Sequence, residues 1–352
     1  MSKIEWTNET WNPIVGCSKL SPGCQNCYAE KMALRLVHMP HTDYYAFVLD
    51  NNKEDDPEKF KYLPKWNGQT HLNEEGLYKP LSWKKPRMVF VISMGDLFHE
   101  STPFKEIDKV MAIIAISPKH TFQILTKRAN RMHDYFSQGK ETLIACWEDA
   151  IYEMGVVDKQ SECPDVIACY VNNRAEKEWP FKNIWLGVTA ENQEQADKRI
   201  PILLNIPAAV RFVSIEPMLS AIDLTDGQMG NQLYNYLTSA GDLSRALEGP
   251  KLDWVICGGE SGFKARPMHP NWVRSLRDQC KTANVPFFFK QWGEWMPGDD
   301  LEPAIMAIEH PKCRIKAMHA WNDKKEAMLK VGKKYSGHLL DGEEYHEFPK
   351  IN

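Results

Sequence analysis

The sequence predicts an α/β chain built as a partial or complete TIM-like (β/α) barrel, with two insertions and a C-terminal extension. Apolar runs alternate with amphipathic helical segments about seven times, which favours a parallel sheet with right-handed crossovers. Polar residues follow most of these apolar runs, as they do at the active-site face of a barrel. A chain of 352 residues is long enough for one barrel with insertions.

The composition is that of an ordinary globular protein, with 43% hydrophobic and 26% charged residues. No apolar run approaches the roughly 18 residues that cross a bilayer, and the first residues lack the apolar core of a secretory signal. A net charge of −4 argues against a strongly basic, nonspecific nucleic-acid binder. Nine cysteines, an odd number without export, fit a reducing compartment. We therefore expect a cytoplasmic protein without a membrane partner.

The first part of the chain predicts a short strand at 10–16, a cysteine loop, and a helix at 28–38 with Met32 and Leu36 at helical spacing. Residues 40–87 then form a long excursion, which is typical of an insertion or a lid. This segment is rich in aromatic residues. Their side chains either pack the insertion onto the barrel or stack on a planar substrate.

From residue 88 onward, strands and helices alternate regularly. Strands are predicted at 88–94, 120–125, 184–188, 210–215, 252–257 and 286–289. Helices are predicted at 103–117, 127–136, 193–204 and 270–284. Helical character is also expected in a second insertion, 138–181, and in a looser stretch, 218–250. The barrel then covers 1–292, and the extension, 293–352, holds a polar helix near 323–332.

Three cysteines near the start are the most specific feature of the sequence. Cys24 and Cys27 have C-x-x-C spacing, and Cys17 lies seven positions before Cys24, across a Ser-Pro-Gly turn. Three thiolates on one short loop suit a metal better than a disulfide, which would leave one cysteine over. An iron–sulfur cluster held by three cysteines leaves one iron open for a ligand. A structural zinc site completed by His38 or His41, or plain reduced thiols, are the alternatives.

Polar residues follow the predicted strands where a barrel carries its chemistry. Asp96, Thr126 and Lys127 follow two strands of the first half. Further such residues in the second half are Thr189, Glu191, Glu216, Glu260 and Lys290. Each alone is commonly a helix cap or a solvated residue. Together with the cysteines, they predict one polar mouth.

These motifs resemble the radical S-adenosylmethionine (radical SAM) superfamily, and its spore photoproduct lyase-like branch in particular. The likeness rests on a cluster loop after the first strand and on two strand endings, residues 96–100 and 125–128. Together with 11–13, 24–30 and 258–261, the pattern is similar to a phage and bacterial three-cysteine family grouped with radical SAM proteins. The C-x6-C-x2-C spacing is longer at its first step than the usual C-x3-C-x2-C.

The resemblance implies a barrel of radical SAM type, a [4Fe–4S] cluster on Cys17, Cys24 and Cys27, and S-adenosylmethionine on the open iron. An electron donor of flavodoxin or ferredoxin type would drive reductive cleavage to a 5′-deoxyadenosyl radical. Gly95 and Asp96 would contact the methionine amino group, and Arg199 the carboxylate. The residues expected to bind the cofactor are Tyr28, Gly95, Asp96, Thr126, Thr189, Glu191 and Arg199.

The same resemblance implies that the substrate is a nucleobase, a nucleotide or a nucleic acid. The residues expected to act in catalysis are Cys257, Lys127, Glu216 and Glu260. Cys257 would serve as a hydrogen donor, although such a cysteine is more often a small buried hydrophobe. A basic edge for phosphates could come from Lys84, Lys85, Arg87, Lys127, Arg128 and Arg131, although such residues are slightly more often solvated helix and loop charges.

Three further alternatives stay open at this point. A second cluster on Cys146, Cys163 and Cys169 is one, although their spacing is irregular. A zinc-stabilised barrel that binds nucleic acid without radical chemistry is another. The third is a hydrolase in which Glu216 and Glu260 act as an acid and base pair.

Overall fold

The computed structural model describes residues 4–50, 65–156, 165–230, 232–238, 249–298, 313–321 and 326–350. Within them the chain divides into two compact units. The first contains Met1–Leu20, Cys27–Gly187 and Ile206–Ala209, and the second contains Ser21–Asn26, Val188–Asn205 and Val210–Asn352. No helix in these described ranges has the length and apolar character that crossing a bilayer requires.

The strands are short, and most of the longer helices follow a strand in the chain. The strands are β1 (Glu9–Trp11), β2 (Ile14–Val15), β3 (His71–Leu72), β4 (Met88–Val91), β5 (Thr121–Thr126), β6 (Ile184–Thr189), β7 (Val210–Ile215), β8 (Gly227–Met229), β9 (Gln232–Tyr234), β10 (Trp254–Gly258), β11 (Phe287–Gln291), β12 (Trp295–Pro297), β13 (Ala317–Ala320) and β14 (Ala327–Lys330). The helices are α1 (Tyr28–Leu36), α2 (Glu74–Leu77), α3 (Phe104–Ala115), α4 (Ala129–Phe136), α5 (Lys140–Glu153), α6 (Asp165–Lys177), α7 (Gln193–Leu204), α8 (Pro270–Ala283) and α9 (Lys333–Ser336).

Seven strands form one sheet in the order β1-β4-β5-β6-β7-β10-β11. The pairs β1–β4, β4–β5, β7–β10 and β10–β11 are parallel. This mixed α/β architecture is consistent with a partial α/β barrel, which confirms the predicted fold at that level. Every residue of β6 and β10 is buried, which explains why these strands read as continuous apolar runs rather than as alternating patterns.

The helices between the strands begin and end at recognisable signals. Asn192 caps α7 by accepting a hydrogen bond from Gln195 N. Pro270 opens α8, and Asn284 ends it in a left-handed conformation with a φ of 53°. The predicted helix at 193–204 and the predicted strand at 210–215 have the bounds that the structure gives.

The first predicted insertion, 40–87, contributes part of the core beneath the cysteine loop. Tyr45, Val48, Leu49 and Trp66 pack with Ala29 and Ala33 of α1 in one buried cluster. Cys17 and Cys27 lie against this same cluster. Packing is therefore the role of its buried aromatics, whereas Phe47 is 66% exposed and stacks on His71.

The second predicted insertion, 138–181, is helical where it is described, as expected, and consists of α5 and α6. Trp147 of α5 is fully buried, and its Nε1 donates to Tyr135 Oη at 2.8 Å. Tyr135 Oη in turn donates to Asp108 Oδ1 at 2.7 Å. These two buried hydrogen bonds link Trp147 of α5 to Tyr135 of α4 and to Asp108 of α3, and they fix α5 against both helices.

The prediction of helical structure over 218–250 is wrong in the described part. β8 and β9 pair there as an antiparallel hairpin, with Gly227 opposite Tyr234. Gly230, with a φ of 65°, directly follows β8. A left-handed glycine after a three-residue strand favours a tight turn, and this local signal outweighs weak helical spacing.

The prediction of a polar helix near 323–332 is also wrong in the described part. β14 occupies 327–330 and pairs with both β12 and β13 in an antiparallel sheet. Residues 322–325 lie outside the described residues.

The last part of the extension contacts β11. Phe289 N donates to Tyr345 O at 2.8 Å, and His346 stacks on Phe288 with their ring centroids 4.4 Å apart. The extension therefore binds the edge of β11 within the second unit.

Candidate functional site

Within the described residues, none of the three cysteines of the N-terminal loop forms a disulfide, and all three are partly buried. Cys17 follows β2, Cys24 ends a 3₁₀ turn (Pro22–Cys24), and Cys27 is the residue before α1. Cys17 and Cys27 belong to the first compact unit, and Cys24 to the second.

Two glycines let the backbone approach closely just before Cys17. Gly16 has a φ of 98°, and its N donates to Met94 O at 3.1 Å. A Cβ atom on Gly95 would lie 2.7 Å from Gly16 O, a contact that no side chain tolerates. Gly95, expected to contact a cofactor, therefore has a packing role that by itself requires glycine at this position.

Arg128 is the group that contacts Cys17. Its side chain is only 3% exposed, and its Nη1 lies 3.6 Å from Cys17 Sγ. Nη2 donates to Ser18 Oγ at 2.8 Å and to Ser18 O at 3.3 Å. Arg128 was expected at a phosphate-binding edge, but its guanidinium is buried against the cysteine loop instead.

Two carboxylates hold Arg128 in place. Nη1 donates to Asp96 Oδ2 at 3.1 Å, and Nε donates to Glu100 Oε2 at 2.7 Å. Burial lowers the pKa of Arg128, but the negative charges of Asp96, of the Cys17 thiolate form and of Glu100 raise it above its usual value. The guanidinium therefore keeps its positive charge beside Cys17.

Asp96 is buried, and its carboxylate is satisfied within the protein. Its Oδ1 accepts hydrogen bonds from Thr126 Oγ1 at 2.7 Å and from Phe98 N at 3.0 Å. Its Oδ2 accepts one from Lys127 N at 3.3 Å. With Arg128, this makes four donors to two oxygens. Asp96 and Thr126, expected to bind a cofactor, thus support Arg128.

His99 completes this group on the other side of Ser18. Its Nε2 lies 2.9 Å from Ser18 Oγ. Burial lowers the pKa of His99, and the positive charge of Arg128 lowers it further. With His99 neutral, Arg128 is the cationic side chain in contact with Ser18, and its charge is paired with Asp96 and Glu100.

A second set of residues holds the middle of the loop, in the second unit. Gly23 N donates to Glu191 Oε1 at 3.0 Å, and Arg199 Nη1 donates to Glu191 Oε2 at 3.1 Å and to Thr189 O at 2.7 Å. Glu191 is completely buried. A Cβ atom on Gly23 would lie 3.1 Å from the Glu191 carboxyl carbon. Thr189, Glu191 and Arg199 were all expected to bind the cofactor, and the structure brings them together around Gly23.

A third set anchors the same stretch from the end of β10. Arg266 forms a bidentate pair with Glu260, at 2.6 and 2.9 Å. Its Nη2 also donates to Pro22 O at 3.1 Å, and its Nη1 to Gln25 Oε1 at 3.3 Å. Sequence reasoning missed Arg266 because nothing in its local pattern distinguishes it from a solvated loop residue. Glu260, expected to be catalytic, here positions the loop.

The Glu260–Arg266 pair predicts a pH-dependent stability difference. Burial raises the pKa of Glu260, but the hydrogen bonds from Arg266 lower it below the usual 4.5. A lowered folded-state pKa stabilises the fold above about pH 4.5, and this stabilisation is lost as the pH falls further. We expect Arg266→Met to lower the free energy of unfolding by about 2–4 kcal/mol at pH 7. The deficit should shrink toward pH 4, where Glu260 of the variant is protonated.

Denaturant unfolding of both proteins at pH 7 and pH 4 measures this difference. Lys264→Met is the matched control, because Lys264 is exposed and only its backbone oxygen binds the loop, through Asn26 Nδ2 at 2.9 Å. Its expected effect is within about 0.5 kcal/mol. An equal deficit of Arg266→Met at both pH values would contradict the role of the ion pair.

Two further residues expected to be catalytic lie at strand ends of the second unit. Glu216 accepts two hydrogen bonds from Lys290 Nζ, at 2.8 and 3.1 Å. A Cβ atom on Gly258 would lie 3.3 Å from the Glu216 carboxyl carbon, so the carboxylate lies over this glycine. Cys257 is fully buried, with its Sγ 3.8 Å from Met218 Sδ, and burial raises the pKa of its thiol. Glu216 and Glu260 are each bound to a cation of the protein.

The remaining cations of the expected phosphate edge have different surroundings. Arg131 donates to His99 O at 3.1 Å and to Thr102 O at 2.6 Å, and Arg87 pairs with Glu9 at 2.7 Å. Lys84 and Lys85 are exposed. Lys127 is partly buried at the end of β5, and its ammonium forms no ion pair with any residue that the structure describes.

Tyr28, the last of the expected cofactor residues, is the first residue of α1 and is 53% exposed. Its Oη donates to Ser93 O at 2.8 Å, next to the turn that carries Gly95 and Asp96. Tyr28 is thereby tied to the residues that follow β4, although about half of its surface is exposed.

No group of three or more His, Cys, Asp or Glu side chains is arranged to hold a metal ion within the described parts of the chain. Cys146 and Cys169 are free, on α5 and α6, and Cys163 lies outside the described residues. The prediction of a second cluster therefore stays a prediction.

Comparison with known protein families gives one match, which covers nearly the whole chain. The family described as "Protein of unknown function (DUF5131)" matches residues 1–349. The chain belongs to this family. For this member of the DUF5131 family, searches of the curated proteins and of the solved structures found no match.

Proposed function

We propose that this DUF5131 protein is a radical SAM enzyme that binds a [4Fe–4S] cluster through Cys17, Cys24 and Cys27. The observation that carries the proposal is the buried Arg128, whose Nη1 lies 3.6 Å from Cys17 Sγ. A buried cation at this distance favours a thiolate, and a thiolate is the form of cysteine that binds a metal.

The donor chemistry of the loop fits such a cluster. Its three cysteines form no disulfide among the described residues, and cysteine thiolates are the usual ligands of iron–sulfur clusters. Three thiolates leave one iron of a [4Fe–4S] cluster without a protein ligand, which is where S-adenosylmethionine would bind. When bound, the cluster supplies the electron that cleaves this cofactor to a 5′-deoxyadenosyl radical.

The residues around the loop would act by holding it in one conformation. Arg128 fixes the Cys17 end through Ser18, and the ion pairs Glu191–Arg199 and Glu260–Arg266 fix the 22–25 stretch. Rigid ligands would hold a cluster at a fixed distance from a bound substrate. This matters because a misplacement of about 1 Å costs much of the rate.

We propose a nucleotide or nucleic acid as the substrate, with Lys127 binding a phosphate. Two observations support phosphate binding by Lys127. The residue is partly buried, and its ammonium has no ion-pair partner among the described residues. A compact ammonium suits an anionic group of the substrate as a point charge. An electron donor of flavodoxin or ferredoxin type is the proposed protein partner.

The test is reductive cleavage of S-adenosylmethionine by the reconstituted protein. After anaerobic loading with iron and sulfide, dithionite and S-adenosylmethionine should yield 5′-deoxyadenosine, measured by liquid chromatography. The Cys24→Ala variant, treated identically, should form none above the protein-free background. Absence of product from a wild-type protein that holds a full cluster would contradict the proposed reaction.

A further inference from the structure

We infer that Arg128 is a positioning residue that raises the reduction potential of the proposed cluster by donating a hydrogen bond to Cys17 Sγ. The inference rests on the proposed cluster and goes beyond it, because it assigns a specific task to a residue that binds neither iron nor substrate. It follows from the contacts of Arg128, from its charge and from a comparison with Arg131.

The guanidinium of Arg128 is positioned to donate to Cys17. Nη1 of Arg128 lies 3.6 Å from Cys17 Sγ, within the range of a hydrogen bond to sulfur. The remaining guanidinium hydrogens go to Asp96, Glu100 and Ser18, so the fork cannot rotate away from the sulfur. Arg128 is therefore preorganised to donate to Cys17 in every redox state.

The positive charge of Arg128 acts on Cys17 from a buried position. Arg128 is 3% exposed, so water screens its charge poorly. A hydrogen bond from a buried cation stabilises the negative charge that a cluster gains on reduction, and hydrogen bonds to the sulfurs are among the factors that set cluster potentials. The reduced cluster is thus favoured, and the potential is higher than it would be without Arg128.

Arg131 lies in the first turn of α4, three positions after Arg128, which is the residue before that helix. Its Nε donates to His99 O and its Nη2 to Thr102 O, so it binds the same 96–102 segment as Arg128. Its guanidinium lies over the ring of Phe104, 4.6 Å from the ring centroid. It provides a control of the same residue type three positions later in the chain.

The experiment is a potentiometric titration of the anaerobically reconstituted full-length protein, followed by electron paramagnetic resonance of the reduced cluster. Arg128→Met should shift the midpoint potential to a more negative value, outside the spread of replicate titrations. Arg128→Lys keeps the charge beside Asp96 but loses the fork, so its shift should have the same sign and be smaller. Arg131→Met should leave the potential unchanged.

The outcomes separate this inference from the proposed function. A wild-type protein that takes up no iron refutes the cluster itself. A normal cluster whose potential is the same in wild type, Arg128→Lys and Arg128→Met refutes only the role of Arg128. Equal shifts for Arg128→Met and Arg131→Met refute it as well, because a general loss of positive charge would then explain both. If Arg128→Met does not fold, Arg128→Lys decides between a shift and none.

Discussion

Replacement of Cys27 by alanine is expected to lower the iron bound after anaerobic reconstitution by more than about 10-fold. Cys27 precedes α1 and packs against the same buried cluster as Cys17, so a small side chain in its place leaves the helix intact. Two thiolates cannot hold a cubic cluster that needs three protein ligands. Iron and acid-labile sulfide per chain, measured after removal of unbound metal, give the result directly.

The matched control is Cys169→Ala. Cys169 is an exposed free thiol on α6, so its loss changes the total cysteine count without touching the N-terminal loop. Its iron and sulfide content should equal that of the wild type. Equal losses from the two variants would mean that cysteine number, rather than the loop, governs metal uptake.

Gly16→Ala is expected to destabilise the fold by about 3–5 kcal/mol, the largest stability effect of any single methyl group near the loop. Gly16 has a φ of 98°, and its Cβ would lie 2.3 Å from Gln69 O and 2.6 Å from Val48 Cγ1. Both backbone strain and overlap with a neighbouring carbonyl oppose the substitution. Denaturant unfolding of the wild type and the variant at pH 7 measures the difference.

Gly68→Ala separates the two causes. Gly68 also has a positive φ, 81°, but nothing lies within 4 Å of its Cβ position. We expect it to cost only about 1 kcal/mol, from backbone strain alone. If Gly16→Ala costs no more than Gly68→Ala, the close approach of Gly16 to Val48 and Gln69 does not stabilise the loop.

The parallel strands and their helices could be predicted from the sequence because their signals are local. The apolar run at 210–215 and the helix at 193–204, opened by Asn192, carry period and capping information within a few residues. The β8–β9 hairpin and the β12–β14–β13 sheet were not predicted, because their local signals are weak. Their strands are three or four residues long, too short for a periodic pattern to be distinctive.

The cysteines and the polar strand ends were also visible in the sequence, but the partners of those polar groups were not. Arg266 binds Pro22 O from 244 positions away, and Gly23 binds Glu191 from 168 positions away. No periodicity or spacing encodes such contacts, since they arise from packing of distant segments. For the same reason Arg128 read as a surface cation, although the structure buries it beside Cys17.

Metal analysis of the wild-type chain, purified without air, tests most directly whether the N-terminal cysteines hold an iron–sulfur cluster. Iron, acid-labile sulfide and zinc are determined in the same sample. We expect about four irons and about four sulfides per chain after reconstitution, with no stoichiometric zinc. One zinc per chain, with neither iron nor sulfide, would contradict the cluster and favour a structural zinc site instead.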